Sequence, residues 1–297
     1  MSTATQPPRI IMVQDKPWIR FWRLLKQTAI AAYEDNCFGI GKGVAYSGLL
    51  ALFPVLTSIA AILLRANAEA VSRTLARLLF EVVPPGSEEL VRYQFMVKGQ
   101  RPIWLVVAAT LLSIWAASGA MMSLMEGFQA AYRLPGGRPF LKQRGVAVML
   151  VFICALPAVG ASFLIVFGAR LQDRLFVSLG SKAPDGHLTG WAAVLSVSSR
   201  YIIALACVVL VTGLLYYFGP YRSMKLRNVW PGAFLATALW ALATTGFGWY
   251  VRNLANYNVM YGSIAAVIVM LVWMYLLAII CLFGCEFNAE MERLRAT

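Results

Sequence analysis

Histidine and carboxylates are what this sequence has least of. His187 is the single histidine, and 13 Asp and Glu are spread over 297 residues. Metal-dependent RNA cleavage needs clustered His, Asp or Glu, and metal-free cleavage needs a His pair or a His beside a Lys. Neither set is legible here, which argues against a nuclease. The chain also lacks a Gly-x-Ser-x-Gly elbow, a histidine placed to serve a serine, a phosphate-cradling glycine loop and an ATP-binding motif. No enzyme is expected, and no cofactor. Cysteine is sparse as well: of Cys37, Cys154, Cys207, Cys281 and Cys285, four fall inside apolar runs, where the thiol acts as a small hydrophobe. Cys281 and Cys285 share a helical face, but zinc would need two further ligands, and His187 lies in a loop. No metal site and no disulfide framework are expected.

Charge is the other shortage. Only 13% of residues are charged against 60% hydrophobic, and mean hydropathy is +0.69. Soluble domains run about 45–50% apolar and about 25% charged. The expectation is an all-α polytopic membrane protein. The first 42 residues are charged, Trp-rich and without a small-residue cleavage site, so the first span is expected to act as its own insertion signal. Net charge is +13. In a membrane chain that excess reads as Lys and Arg holding loops on the cytoplasmic side, with no nucleic-acid partner.

What is present is long apolar runs. The clearest extends from Ile264 to Phe283, interrupted by Trp273 and Tyr275. About 20 residues at about 1.5 Å each match a bilayer core of about 30 Å. Six spans are expected, at about 43–64, 103–125, 145–169, 200–218, 231–250 and 264–285, within a membrane domain 43–290. Pro54 and Pro157 fall mid-span and predict kinks. Ser198-Ser199-Arg200 breaks the apolar run 191–218, so the fourth span is expected to start near 200, after an interfacial helix. Pro231 is expected at the first position of the fifth helix. Small residues recur every four positions at Ala109, Ser113 and Ala117, and at Ala233, Thr237, Ala241 and Thr245. Such ladders let helices approach closely, within one chain or between copies in a homo-oligomer.

Outside the spans, residues 1–16 are polar and Pro-rich. From Pro17 an amphipathic helix is expected, with Trp18, Trp22, Leu25 and Ala29 on one stripe and Arg20, Arg23 and Lys26 off it. That pattern suits a helix lying among headgroups. Residues 65–101 are expected to form a small helical cap outside the bilayer, and 291–297 a short tail. With the N-terminus inside, inner segments hold 15 Lys and Arg and outer loops 10, Arg200 being the remainder. The compact basic loops near 140 and 220 put both termini in the cytoplasm.

Several stretches resemble one family, the YihY/virulence factor BrkB family of bacterial inner-membrane proteins. They are Ala45-Tyr46 through Leu52-Phe53-Pro54, Ser113 to Ser118, Tyr216-Tyr217-Phe218-Gly219-Pro220 and Pro231-Gly232-Ala233. Asn256-Tyr257-Asn258 with Tyr261-Gly262-Ser263, and Gly284 with Glu286, Asn288, Ala289 and Glu290, complete them. The resemblance covers about 30–292 and implies a six-helix inner-membrane protein with both termini inside. The family has carried an older label as a ribonuclease, which this chain's residues do not support. Cys285 departs from the small or aliphatic residue more usual there, and the first 20 residues look peculiar to this chain.

Ionisable and polar groups near the membrane mark the candidate site, because an ion facing lipid costs several kcal/mol. Arg200 is expected at the outer end of the fourth span, Glu126 at the inner end of the second and Glu286 at the inner end of the sixth. Asn256, Tyr257, Asn258, Tyr261 and Ser263 crowd one helix entrance. The bland alternatives are a snorkelling Arg200, a Glu286 paired with Arg222 or Lys225, and a helix cap with an aromatic belt. Two functions are weighed. One is translocation or binding of a lipid or other anionic amphiphile, with Arg200 facing a phosphate or carboxylate. The other is a non-transporting envelope scaffold acting through the outer cap. They differ on whether the polar groups share one cavity.

Overall fold

The structure, a computed structural model, describes residues 17–65, 103–157, 190–253 and 264–296. These form seven helices and, among the described residues, no strand. They are α1 (Pro17–Glu34), α2 (Cys37–Arg65), α3 (Ile103–Ala131), α4 (Phe140–Pro157), α5 (Gly190–Phe218), α6 (Leu226–Asn253) and α7 (Ile264–Ala296). Five of them (α2, α3, α4, α6 and α7) are long and apolar enough to cross a membrane, and α5 carries a shorter apolar stretch, Ile202–Phe218. The chain is an all-helical polytopic membrane protein. Beyond Arg65 the expected outer cap lies outside the described residues. So do the Asn256–Ser263 cluster and the part of the expected third span beyond Pro157.

The helices are apolar on more than one side because they face lipid as well as each other. Ile103, Trp104, Leu111 and Trp115 of α3 and Leu141, Phe152 and Leu156 of α4 are exposed, as lipid-facing residues should be. Where helices meet, small and hydroxyl residues make the contact. α2 and α3 run antiparallel, with Gly119 over Ser47 and the hydroxyls of Ser58 and Ser113 hydrogen-bonded at 2.9 Å. Each hydroxyl also has a carbonyl of its own helix in reach, Ala109 for Ser113 and Pro54 for Ser58. Both therefore have partners where water is scarce. Pro54 lies inside α2, as expected.

α7 is the central staff. It is 33 residues long, about 50 Å at about 1.5 Å per residue, so it extends well past a bilayer core. It packs against α1, α2, α3 and α6. With α6 it runs antiparallel, from Phe247 stacked on Trp273 at one end to Gly232 against Gly284 at the other.

Two local features differ from the sequence expectation. α5 is one continuous helix through Ser198-Ser199-Arg200, because polar side chains interrupt hydropathy without interrupting backbone hydrogen bonds. α6 begins at Leu226, a turn before the expected start, leaving Pro231 inside the helix. α3 ends at Ala131, ahead of Leu134-Pro135-Gly136-Gly137 as that stretch predicts, and Arg133 in the turn after it is left-handed (φ 48). There Leu134 N–H bonds the Gln129 carbonyl and Arg133 N–H that of Ala130, a closed C-terminal turn that usually takes glycine.

Candidate functional site

Two features stand next to each other at the end of the bundle that carries the 132–139 and 219–225 loops. One is a polar latch around the end of α7. The other is an apolar cavity directly above it.

The latch is built on the α7 face formed by Cys281, Gly284, Cys285 and Asn288. A methyl group added at Gly232 would lie 2.0 Å from the Gly284 carbonyl, and one at Gly284 2.4 Å from the Tyr216 hydroxyl. Only glycine permits this crossing. Pro231 removes a backbone donor beside it, and Asn288 supplies partners to the disturbed turn. Asn288 Nδ2 donates to the Val229 carbonyl at 3.0 Å, and Oδ1 accepts from Gly232 N–H at 2.7 Å. Tyr216, fully buried at the end of α5, donates its hydroxyl to the Cys281 carbonyl at 2.6 Å and meets Phe128 of α3 edge to face. One layer therefore joins α3, α5, α6 and α7.

Glu286 faces the other way, toward the start of α2. It is 0% exposed. Its Oε1 accepts a hydrogen bond from the Cys37 thiol at 3.6 Å, and its Oε2 has no partner among the described residues. The sequence offers Arg222 or Lys225 as its partner, but the structure pairs Arg222 with Glu292 instead. Among the described residues Glu286 has no ion-pair partner, the counter-ion that buried charges normally need.

The basic residues of the adjoining loops close helix ends. Arg138 donates to the carbonyls of Phe218, Gly219 and Pro220, at 3.3, 2.9 and 3.1 Å, where α5 stops. Arg293 donates to the Ala131 carbonyl at 2.7 Å, where α3 stops, and pairs with Glu290. Cations suit these positions because the carbonyl ends of helices carry partial negative charge. Arg133 reaches Glu34 and Asp35 at the α1–α2 turn, and Asp35 beside it raises its pKa. Burial lowers that of Arg138 and pushes the Tyr132 phenol upward.

Above the Phe128–Tyr216 layer lies a cavity of about 300 Å³ between α2, α3, α5, α6 and α7. Val44, Ala120, Leu124, Thr212, Trp240 and Met274 are among its walls, and among the described residues no charged side chain lines it. Its shape comes from small residues on four helices: Gly48, Ala120, Ala236 and Ala278.

Of the expected site residues, Glu286 and Glu126 do not line this cavity. Glu286 is buried on the side of α7 that faces α2, away from the latch, and Glu126 is exposed on α3. Arg200 lies on α5, eight residues before the cavity-lining Val208, about 12 Å along the axis; its side chain lies outside the description. Asn256, Tyr257, Asn258, Tyr261 and Ser263 lie outside the described residues. Sequence reasoning does not single out Tyr216, Asn288, Arg138 or Arg293 as site residues. The available signals are a Tyr and a Gly-Pro pair closing an apolar run, and an Asn two residues past Glu286. Among the described residues no three His, Cys, Asp or Glu form a metal-holding group.

A family model described as virulence factor BrkB matches residues 30–297. A relative named a ribonuclease-like protein, YfkH, from Bacillus subtilis (strain 168) is 29% identical over 251 residues, 84% of this chain and 88% of its own length. A UPF0761 membrane protein of Alkalilimnicola ehrlichii is 28% identical over 260 residues, 87% of this chain and 56% of the relative. Another, of Tolumonas auensis, is 22% identical over 302 residues, 96% of this chain and 93% of the relative. The chain thus spans little more than half of some relatives and nearly all of others. No solved structure matches it.

Proposed function

The chain belongs to the virulence factor BrkB family, and we propose that within it this protein binds and translocates a lipid or similar amphiphile. The observation that carries this reading is the cavity. It lies in the apolar part of five packed helices, holds about 300 Å³ and is walled by hydrocarbon, with Thr212 the one hydroxyl among the described residues. Such a space suits an acyl or isoprenoid chain and offers nothing to hold a headgroup. The headgroup must be met elsewhere, and Arg200, on a helix that lines the cavity, is the cation we assign to an anionic phosphate or carboxylate. The latch closes the cavity at the end bearing the basic loops. We place the protein in the bacterial inner membrane with both termini cytoplasmic.

The name of the Bacillus relative raises RNA cleavage as a rival. The supply of general acids and bases speaks against it: one histidine in the sequence, and a buried Glu286 bonded to the Cys37 thiol alone among the described residues, with no His, Lys or second carboxyl on it. No enzymatic role is proposed.

Native mass spectrometry of gently extracted protein tests the reading. Wild type should retain an amphiphile at near-equimolar ratio. Ala120→Leu should lose it by occupying its space. Arg200→Ala should lose anionic species selectively. The same bulk lipids on all three proteins would overturn the proposal and favour a scaffold.

A further inference from the structure

The helix that precedes the first span has no role in the cavity or the latch, and its surfaces divide three ways. Leu24, Thr28, Ala31 and Ala32 of α1 are buried against the bundle, and Phe21 meets Phe287 of α7 edge to face at 6.2 Å. At about 100° per residue a second face carries Trp18, Trp22 and Tyr33, which are 62%, 62% and 77% exposed. The third carries Arg20, Lys26 and Glu34, all exposed. Protein, aromatic and charged faces thus follow one another around the helix. A helix standing free in water gains nothing from three exposed aromatic rings on one stripe. A helix wedged at the rim of a membrane bundle gains from all three faces at once. Phe38 and Tyr46, on the helix that follows, are exposed aromatics as well. The family match covers residues 30–297, so Trp18, Arg20, Trp22 and Lys26 lie ahead of it.

We propose that α1 is a docking element for anionic phospholipid headgroups of the leaflet at the latch end, with Trp18, Trp22 and Tyr33 seated at the headgroup–acyl boundary and Arg20 and Lys26 against the phosphates. Neutral headgroups would meet the aromatics but not the cations. Each cation near an anionic surface contributes about fivefold in local affinity. Because α1 also packs on α7 beside Glu286, the lipid surface bears on the latch through a single helix.

The test uses the full chain reconstituted in nanodiscs of phosphatidylcholine, with or without phosphatidylglycerol, each also prepared with chains brominated near the headgroup. Comparison of wild type with Trp18→Phe/Trp22→Phe isolates the emission of those two rings. The expected result is that brominated lipid quenches it. Phosphatidylglycerol should also slow amide exchange over residues 17–30 severalfold, and Arg20→Glu/Lys26→Glu, surface changes that leave packing intact, should abolish that slowing. Absence of quenching, or equal exchange in both lipids, would overturn the proposal. So would shielding of the two rings by a second copy, seen as exchange that tracks protein concentration and not lipid. Lipid retention in the central cavity is measured separately, so failure here leaves the translocation reading standing.

Discussion

Asn288 and Glu286 lie two residues apart on α7, both essentially buried, yet the structure asks different things of them. Asn288 uses both ends of its amide on backbone groups of one turn of α6. Asn288→Ala would strand a donor and an acceptor, and each buried group left unpaired costs about 1–3 kcal/mol. Thermal unfolding in detergent should show a loss of about 2–4 kcal/mol, and Asn288→Asp, which keeps only the acceptor, should fall between. Glu286 accepts from one thiol and leaves an oxygen unpartnered among the described residues. Glu286→Gln keeps the shape and the acceptor while removing any need for a counter-ion, so stability should be unchanged or higher. A loss above about 1 kcal/mol in that variant would mean that the carboxylate has a cation partner, since only a paired charge is missed on neutralisation. The sequence marks Glu286 as unusual but not its surroundings. Its hydrogen-bond partner, Cys37, is 249 positions away, and no local spacing links the two.

At the scale of elements, the sequence is most informative where hydropathy alone decides. The run from Ile264 to Phe283 announces α7, and Pro54 falls inside α2. Helix ends are harder, because they depend on partners from other elements. Position alone puts Pro231 at a helix start; here it lies inside α6, between the Val229 carbonyl and the Gly232 N–H that Asn288 of another helix bonds. Leu134-Pro135-Gly136-Gly137 marks where α3 must end, but not that Arg133 takes the left-handed position there with Glu34 and Asp35 holding its side chain. The basic loops read as topology signals, and Arg138 in one of them also gathers three carbonyls at the end of α5. Arg138→Ala should destabilise that end by about 1–2 kcal/mol, the upper range for a cation at a partly buried helix terminus. Lysine should recover only part of it, because one ammonium cannot present donors to three carbonyls in the fixed fan of a guanidinium. Hydrogen exchange over 213–220 is the sensitive readout: faster exchange there with α2 and α3 unchanged is the expected pattern, and uniform acceleration would mean that Arg138 supports the whole bundle.

At the scale of the whole molecule, the question is why a bundle that packs Gly232 onto a backbone carbonyl of α7 leaves about 300 Å³ open about one turn away. Voids lining a core forfeit contacts, and stability falls with their volume. Close packing at the latch shows that these helices can meet when their residues are small. Around the cavity small residues are also present, at Gly48, Ala120, Ala236 and Ala278, yet the space between the helices is left open. Space that is merely a packing defect should be improved by filling it, with no other consequence. Space kept for a ligand should show a trade: more stability, less function. Ala120→Leu and Thr212→Leu each add apolar volume facing the cavity, and each is expected to raise the melting temperature of the delipidated protein while removing the retained amphiphile. If both variants are stabilised and still retain that amphiphile as wild type does, the ligand sits elsewhere and the cavity is only a void. If both are destabilised without lipid present, the walls are already at contact and the volume is not free. The outcome expected from this architecture is the first trade, because the latch fixes one end of the helices around the cavity and leaves its walls to be held apart by what enters.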